Sequence, residues 1–274
     1  MDFSTSLDPP LVCLKEFKKW ILFEDDDLLV LNKPGWLVCH PSKNGPFSSL
    51  VGVAKEYLGV ETLHLASRLD RETSGVVLLA KHRKAASHWQ KGIELKTVRR
   101  AYLAILEGEV EEPKKVSTHL GKDPLSPVYV KQQVCGNSRK AKFAETLFTP
   151  LFSANHYTFC AVKTLTGRKH QIRVHAQWIQ HPLVGEKLYG KNEQIYLDFC
   201  EKGWRDEWLG TLGMTRQALH GRALGDSMHG QNFWAPIPGD FTTFLHTKLG
   251  MNEGLVEKCI LDSDQEFLSS LVEN

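Results

Sequence analysis

The chain has 274 residues, 42% of them hydrophobic and 24% charged, a balance that excludes a disordered or fibrous protein. No apolar run approaches the ~18 residues that a membrane span needs, and no basic leader precedes an apolar stretch, so we expect a cytoplasmic protein without membrane contact. The formal net charge is +2, but residues 251–274 carry −5, which leaves +7 for the other 250 residues and favours a polyanionic partner.

The elements of the first half are predicted from hydrophobic spacing and turn residues. Residues 1–20 are expected to form an extended arm, because Pro9-Pro10 blocks a helix. The elements that follow are a hairpin of residues 21–23 and 28–31, a helix over 48–57 capped by Ser48, a strand over 75–80, an amphipathic helix over 83–95, and a strand over 101–106.

The second half begins with proline-rich residues up to about 138, which predict surface loops. A second hairpin is predicted over 142–149 and 156–165, joined by residues 150–155, then a helix over 166–180 with Ile172, Ala176 and Ile179 on its buried stripe. A mixed segment over 186–216 leads to a closing strand at 217–224. This order predicts an α+β domain over 21–250 with a mainly antiparallel mixed sheet flanked by helices and loops, followed by an acidic tail over 251–274.

Several familiar site signatures are missing from the sequence. It contains no phosphate-binding glycine loop, no nucleophile-elbow motif and no His-Glu-x-x-His. The six cysteines form no Cys-x-x-Cys pair, which indicates reduced thiols, and His170, His175 and His181 do not share a helix face at metal-ligand spacing. We therefore expect neither a metal nor a cofactor.

The segment Arg68-Leu69-Asp70-Arg71 places one carboxylate between two cations, just before an apolar strand. Neighbouring cations lower the pKa of an acid by roughly 1–3 units, so Asp70 is expected to stay ionised. Such a carboxylate is suited to nucleophilic attack, but it is equally compatible with a surface ion pair at a strand entrance.

Two further segments each have a structural and a functional interpretation. Tyr102 shares a strand face with Ala104 and Leu106, so its ring belongs either to the core or to a stacking platform for a planar substrate. The segment 166–175 places Arg168, Lys169 and Arg173 in the first turns of the predicted helix, with His170 on the same polar face as Arg173. These basic residues form either a solvent-exposed helix N-terminus or a phosphate-binding site.

A basic run joins these segments. Residues 81–100 contain seven basic side chains and one acid, and Lys81, Arg99 and Arg100 are the members we assign to nucleic-acid contact. Basic helices are often merely solvated, but the position of this run between two candidate site segments favours a role in following a phosphate backbone.

These segments together resemble the RluA-type pseudouridine synthases. The residues Ser67 to Gly75 are similar to the central His-Arg-Leu-Asp and Thr-Ser-Gly motif of that family. Four further blocks match in order: Glu24 to Gly35, Arg100 to Ala104, Thr166 to Arg173 with His181 to Gly190, and Gln217 to His220 with Ala235 to Pro238. The resemblance covers roughly residues 21–245.

Departures from the family pattern lie beside the motifs. Ser67 replaces the usual histidine, Glu186 stands where the family generally has aspartate, Gly221 replaces a common alanine, and Met228-His229-Gly230 lacks the usual His-Pro. We expect a compact member, because the first 20 residues leave no room for the N-terminal RNA-binding domain of larger members.

The resemblance implies a role for each site residue. Asp70 is the essential carboxylate, whether it adds to the ribose, adds to the uracil ring or removes a sugar proton. Arg173 keeps Asp70 ionised, and Tyr102 stacks on the uracil and is in position to take the C5 proton. Arg68 fills the gap left by a flipped base or contacts phosphate, and Leu183 walls the pocket. The basic side chains expected to contact RNA are Arg71, Lys81, Arg99, Arg100, Arg168, Lys169 and His170.

The resulting functional hypothesis is an RNA pseudouridine synthase acting as a monomer on structured ribosomal or transfer RNA, and not on DNA. Two alternatives come from other classes. One is a non-catalytic RNA-binding or RNA-folding protein, which would have no use for an acid at the centre of its groove. The other is a glycosidic-bond hydrolase, which normally needs a second carboxylate as acid.

Overall fold

The computed structural model describes residues 10–40 and 44–272. These residues form eight α-helices and eleven strands. The helices are α1 (Leu14–Lys18), α2 (Leu50–Leu58), α3 (Arg83–Leu95), α4 (Gln171–Trp178), α5 (Gln194–Lys202), α6 (Trp208–Leu212), α7 (Gly239–Thr247) and α8 (Glu253–Val272). The strands are β1 (Ile21–Glu24), β2 (Leu28–Lys33), β3 (His64–Leu65), β4 (Ser74–Ala80), β5 (Val98–Glu107), β6 (Lys114–Lys122), β7 (Gln132–Cys135), β8 (Lys142–Ala154), β9 (Tyr157–Thr164), β10 (Leu219–Asp226) and β11 (Asn232–Trp234).

All eleven described strands belong to one sheet. Its order is β1-β2-β4-β10-β5-β9-β8-β6-β7, with β3 beside β4 and β11 beside β10. Within the described part of the chain, β4 and β10 form a parallel pair and the other neighbours run antiparallel. The prediction of an α+β domain with a mainly antiparallel mixed sheet is therefore confirmed.

The parallel pair at the centre depends on a close backbone approach. Gly75 has φ +117°, and a Cβ at this position would lie 2.2 Å from the carbonyl oxygen of Gly221. Only glycine fits this conformation and this spacing. This close approach places the loop of residues 66–73, which precedes β4, beside β10 and its neighbour β5.

The predicted helix over 83–95 is confirmed with the same bounds as α3. Ala85 and Trp89 are buried against the apolar face of β2 and β4, and Ile93 packs against the same cluster. The opposite, polar side of α3 therefore faces away from the sheet.

Several element boundaries differ from the predictions. Helix α2 is capped by Ser49, whose hydroxyl accepts the Gly52 N–H, and Ser48 belongs to the preceding 3-10 turn. The loops predicted before 138 contain β6 and β7. Strand β8 continues through Pro150, which lacks a backbone N–H, because the register with β9 shifts there in a β-bulge. The hairpin turns at Asn155 and His156, both of which have positive φ.

The two chain ends are more structured than predicted. Residues 1–9 lie outside the described residues, but the remainder of the predicted arm contains α1, which buries Phe17. The predicted acidic tail, apart from residues 273–274 outside the described part, forms α8, which buries Val256, Cys259 and Phe267 against the domain. None of the helices within 10–40 and 44–272 combines the length and apolarity that crossing a membrane requires.

Candidate active site

One cavity of about 630 Å³ collects most of the predicted site residues. Its walls come from the loop 66–73, the C-terminal part of α3, strand β5 and residues 164–173 before and within α4. The predicted residues that line it are Arg68, Asp70, Arg100, Tyr102, Arg168, Lys169, His170 and Arg173. Residues 70, 102 and 173 are thus brought together from three separate parts of the chain.

The loop that carries Asp70 is held from below by Lys33. This lysine is fully buried at the end of β2, and its Nζ donates to the carbonyl oxygens of Pro34, Leu37 and Arg71 at 2.8, 2.7 and 3.1 Å. Burial lowers the pKa of Lys33 to about 8. Lys33 therefore ties the residue after Asp70 to the sheet.

The next two residues of the loop are held by a second group of polar contacts. The Glu72 carboxylate accepts from Lys187 Nζ at 2.9 Å and from the Gln217 backbone N–H at 3.0 Å. The Gln217 side chain also bonds to Thr73 Oγ1 at 2.6 Å. With the three residues after Asp70 fixed, the Asp70 carboxylate is held on rigid backbone, as a reacting group requires.

The centre of the site is a chain of three charges in which Arg173 lies between two carboxylates. Arg173 Nη1 donates to Asp70 Oδ2 at 3.0 Å, while its Nε and Nη2 donate to both oxygens of Glu186 at 2.8 and 2.7 Å. Glu186 is buried and also accepts the backbone N–H groups of Leu188 and Tyr189. Glu186 therefore fixes the guanidinium, and the guanidinium presents one N–H to Asp70.

The Asp70 carboxylate stays ionised although the site is enclosed. Its side chain keeps 32% of its surface accessible, through the cavity, whereas that of Glu186 keeps 1%. Burial by itself would raise the pKa of Asp70, but the charge and hydrogen bond of Arg173 outweigh it and hold that pKa below its usual range. Of the two carboxylates bound to Arg173, Asp70 is the one that a substrate can reach.

His170 completes the surroundings of Asp70 as a neutral group. Its ring is 3.9 Å from Asp70 Oδ2, and its Nδ1 lies 2.7 Å from the Tyr189 hydroxyl. Burial and the positive charge of Arg173 lower the pKa of His170 to about 4. Its backbone has φ +55°, a left-handed conformation in which histidine is among the tolerated side chains, and this turn directs the chain into α4.

Tyr102 forms an apolar wall of the same cavity. Its face of β5 is that of Ala104 and Leu106, as predicted, and the ring is half-buried against their cluster. Ile172 and Leu219 also line the cavity. Both interpretations of Tyr102 are thus partly met, because the ring packs on the core and still faces the open space.

The cavity rim is basic, but two of its residues are placed differently from the prediction. Helix α4 begins at Gln171, so Arg168 and Lys169 lie in the turn before the helix and not in its first turns. Arg168 Nε donates to the Phe143 carbonyl, and Arg68 is exposed, with its guanidinium 3.0 Å from His40 Nε2. Arg168 and Lys169 therefore reach the rim from this turn and not from the helix itself.

Four predicted residues lie outside the cavity. Arg71 turns away and bonds to the Trp36 carbonyl, and Leu183 is 1% exposed in the cluster behind Tyr102, so Leu183 does not wall the pocket. Lys81 pairs with Glu24 at 2.9 Å, and Arg99 lines a smaller groove of about 190 Å³ that shares Arg100 with the cavity. RNA contact by Lys81 and Arg99 stays a prediction.

Three residues that support the site were not among the predicted site residues. Lys33 stands out in the sequence as one charge between an apolar run and Pro-Gly, and Glu186 as one acid in an apolar block. Tyr189 is fully buried, with the Arg173 guanidinium 5.0 Å from its ring centre. Their functions depend on contacts between residues 13 to 57 positions apart in the chain, which spacing alone does not reveal.

The chain has counterparts among known proteins. Residues 27–178 match the sequence profile described as RNA pseudouridylate synthase. An uncharacterised RNA pseudouridine synthase of Mycoplasma pneumoniae is 38% identical over 181 residues, covering 65% of this chain and 58% of that protein. The ribosomal large subunit pseudouridine synthase C of Pasteurella multocida is 34% identical over 208 residues, covering 76% of this chain and 60% of that protein.

The fold has a counterpart as well. The structure titled human RNA pseudouridylate synthase domain containing 4 superposes with a TM-score of 0.66 at 27% identity, covering 85% of this chain and 94% of that one. The chain spans 58% and 60% of the length of the two curated relatives above. More than half of its residues fall within the matched profile. The chain therefore belongs to the RNA pseudouridylate synthase family.

Proposed function

We propose that the protein isomerises uridine to pseudouridine within structured RNA. The observation that carries this proposal is the ionised, partly accessible Asp70 held by Arg173 in the same cavity as the Tyr102 ring. A protein that only bound RNA would gain nothing from a carboxylate at this position, since it repels phosphate.

The reaction needs one group that acts on the nucleotide and a site that retains the detached base. The N1–C1′ glycosidic bond breaks, the uracil turns, and its C5 bonds to C1′ while the C5 proton moves to N1, so atoms and electrons balance without an oxidant or reductant. Asp70 is the carboxylate that acts on the nucleotide. Arg173 keeps it charged, and Glu186 keeps Arg173 in place.

The base has to leave its stack to reach Asp70. Extrusion of a nucleotide costs a few kcal/mol, and stacking on an aromatic ring returns about 1–3 kcal/mol per base. Tyr102 supplies the phenol ring that lines the cavity, and Arg68 at the exposed rim is placed to fill the gap or to contact phosphate.

Two buried polar atoms suit the RNA backbone. Within the described residues, Arg100 Nε and Thr164 Oγ1 are buried without a hydrogen-bond partner, and both residues line the cavity. An unpaired buried donor costs about 1–3 kcal/mol, and a phosphate oxygen would recover that cost once the two side chains turn outward into the cavity. Lys96, Arg168 and Lys169 add positive charge to the same rim.

Ribosomal RNA is the first substrate to test. The Pasteurella relative is named as an enzyme of the large ribosomal subunit, and we extend that substrate class to this chain as a proposal. Transfer RNA is the other structured RNA to include. Action as a monomer, the exclusion of DNA and a cytoplasmic location stay predictions.

The test is a pseudouridine map of total RNA from cells with and without the gene. We expect one or more sites to vanish on deletion, to return with the wild type and not with Asp70→Asn, which keeps the shape of the side chain and removes its charge. An exposed control of the same kind is Asp206→Asn, which should restore the sites fully. Sites that persist after deletion, or that Asp70→Asn restores, would contradict the proposal.

A second arm uses purified protein and ribosomal RNA transcripts. Binding of RNA by the wild type with no isomerisation of any transcript, ribosomal or transfer, would favour the non-catalytic alternative. Loss of activity in Asp70→Asn with RNA affinity retained separates the chemical role of Asp70 from a binding role.

A further inference from the structure

A second cluster of polar side chains lies outside the cavity, between α3 and the turn that joins β10 to β11. His88 Nε2 is 3.0 Å from Asp226 Oδ2, and His229 Nδ1 is 2.9 Å from the same oxygen. The ligand atoms of the three residues all lie within 4.8 Å of one another. The two imidazole rings are 4.5 Å apart at 84°, so they approach the oxygen from different directions.

The carboxylate in this cluster is fixed before any ligand arrives. Asp226 is 1% exposed, and its other oxygen accepts the Met228 N–H at 2.9 Å. The turn is closed by backbone bonds from Asp226 N–H to the Gln231 carbonyl and from Gly230 N–H to the Asp226 carbonyl. Ligands to metals are commonly oriented by outer hydrogen bonds of this kind.

We propose that His88, Asp226 and His229 bind a divalent transition-metal ion, zinc being the one to test. Imidazole and carboxylate are zinc ligands at about 2.0–2.2 Å, which gives ligand-to-ligand edges of roughly 3.3–3.5 Å in a tetrahedron. The two separations between the Asp226 oxygen and the imidazole nitrogens, 3.0 and 2.9 Å, need to open by only a few tenths of an ångström. The fourth position faces a surface pocket of about 610 Å³ and takes water or a small ligand.

The side chains are accessible to an incoming ion. His88 and His229 keep 41% and 56% of their side-chain surface exposed, and the same pocket is lined by Asp27 and His82, which pair with each other at 2.6 Å. A basic surface would disfavour a cation, but this part of the molecule offers the carboxylates of Asp25, Asp27 and Asp226 against one lysine, Lys84. The sequence does not reveal the site, because its ligands are 138 and 3 residues apart, which matches no metal-binding motif.

The ion joins two elements that shape the RNA cavity. His88 lies on α3, and the next turns of that helix present Gln90, Ile93 and Glu94 to the cavity. Asp226 ends β10, opposite Val98 at the start of β5. The metal therefore braces α3 against the sheet and stabilises one wall of the cavity without taking part in the isomerisation.

The test titrates the full chain, freed of metal with EDTA, with zinc sulfate in a calorimeter and with Co²⁺ in a visible spectrometer. The wild type should bind one zinc ion per chain, give the Co²⁺ spectrum of a four-coordinate site and melt at a higher temperature with zinc. The double variant His88→Gln/His229→Gln should bind zinc at least about 10-fold to 100-fold more weakly, because loss of outer-shell partners alone has that effect.

Controls separate this site from other histidines. His156→Gln changes an exposed histidine at the β8–β9 turn and should bind zinc like the wild type. Both altered positions of the double variant are exposed, so its unchanged far-UV dichroism should show a folded protein. Wild-type protein that takes up no stoichiometric zinc, or a double variant that binds zinc as tightly as the wild type, would overturn the proposal.

Discussion

The two carboxylates that share Arg173 should respond to mutation in opposite ways. Glu186→Gln removes a buried charge that accepts two hydrogen bonds from Arg173 and two from backbone N–H groups. A hydrogen bond to a charged group contributes about 1.5–3 kcal/mol, and breaking a buried ion pair costs about 3–5 kcal/mol. The glutamine oxygen still accepts one N–H and Arg173 keeps Asp70, so we expect the free energy of unfolding to fall by about 2–4 kcal/mol.

The matched variant is Asp70→Asn. Asp70 accepts one hydrogen bond from Arg173 and is about one-third exposed, so the pair is screened and its loss should change the free energy of unfolding by less than about 1 kcal/mol. Turnover should show the reverse order. Asp70→Asn should abolish it, whereas Glu186→Gln should lower it by up to about 100-fold through misplacement of Arg173.

Both quantities are measured on the same preparations. Urea unfolding at pH 7, followed by tryptophan fluorescence, gives the stability, and pseudouridine formation on an RNA transcript gives the turnover. If Glu186→Gln unfolds within about 0.5 kcal/mol of the wild type, or Asp70→Asn is the less stable variant, then Glu186 does not anchor Arg173 as argued.

Three further outcomes are expected. Gly75→Ala forces a Cβ to 2.2 Å from a carbonyl oxygen at positive φ and should cost more than about 3 kcal/mol in urea unfolding or prevent folding, whereas Gly136→Ala, with open space around it, should stay within about 0.5 kcal/mol. Arg100→Ala should weaken RNA binding and reduce the slope of log affinity against log salt by about 0.7–0.9 in filter-binding titrations. The control Lys19→Ala, at an exposed ion pair, should leave this slope unchanged. An unchanged slope for Arg100→Ala would exclude its phosphate contact. Burial lowers the pKa of His220 to about 3, so between pH 6.5 and 5 the unfolded chain takes up a proton at this residue and the folded chain does not. The free energy of unfolding should therefore fall by about 2 kcal/mol from this group between pH 7.5 and 5. His220→Gln should remove that part of the fall, and an identical pH profile in the variant would contradict the assignment.

The local elements were mostly predictable because their information is local. Helix α3 was predicted with its observed bounds, since apolar residues at four-residue spacing lie between turn signals. Strands β6 and β7 were missed because prolines and charges near them indicated loops, while their stability comes from the pairing of β6 with β8 and of β7 with β6. The same holds for α8, whose acids suggested a tail and whose buried face is seen only against the sheet.

For the site, the sequence determined by itself which residue types stand at positions 70, 102 and 173, and through their motifs the family and its chemistry. Only the tertiary structure decided which groups surround Asp70: Lys33 beneath its loop, Glu186 behind Arg173, and Leu183 and Arg71 outside the cavity. The physical reason is that charge and burial act through space, so the ionisation of Asp70 depends on neighbours about 100 residues away along the chain.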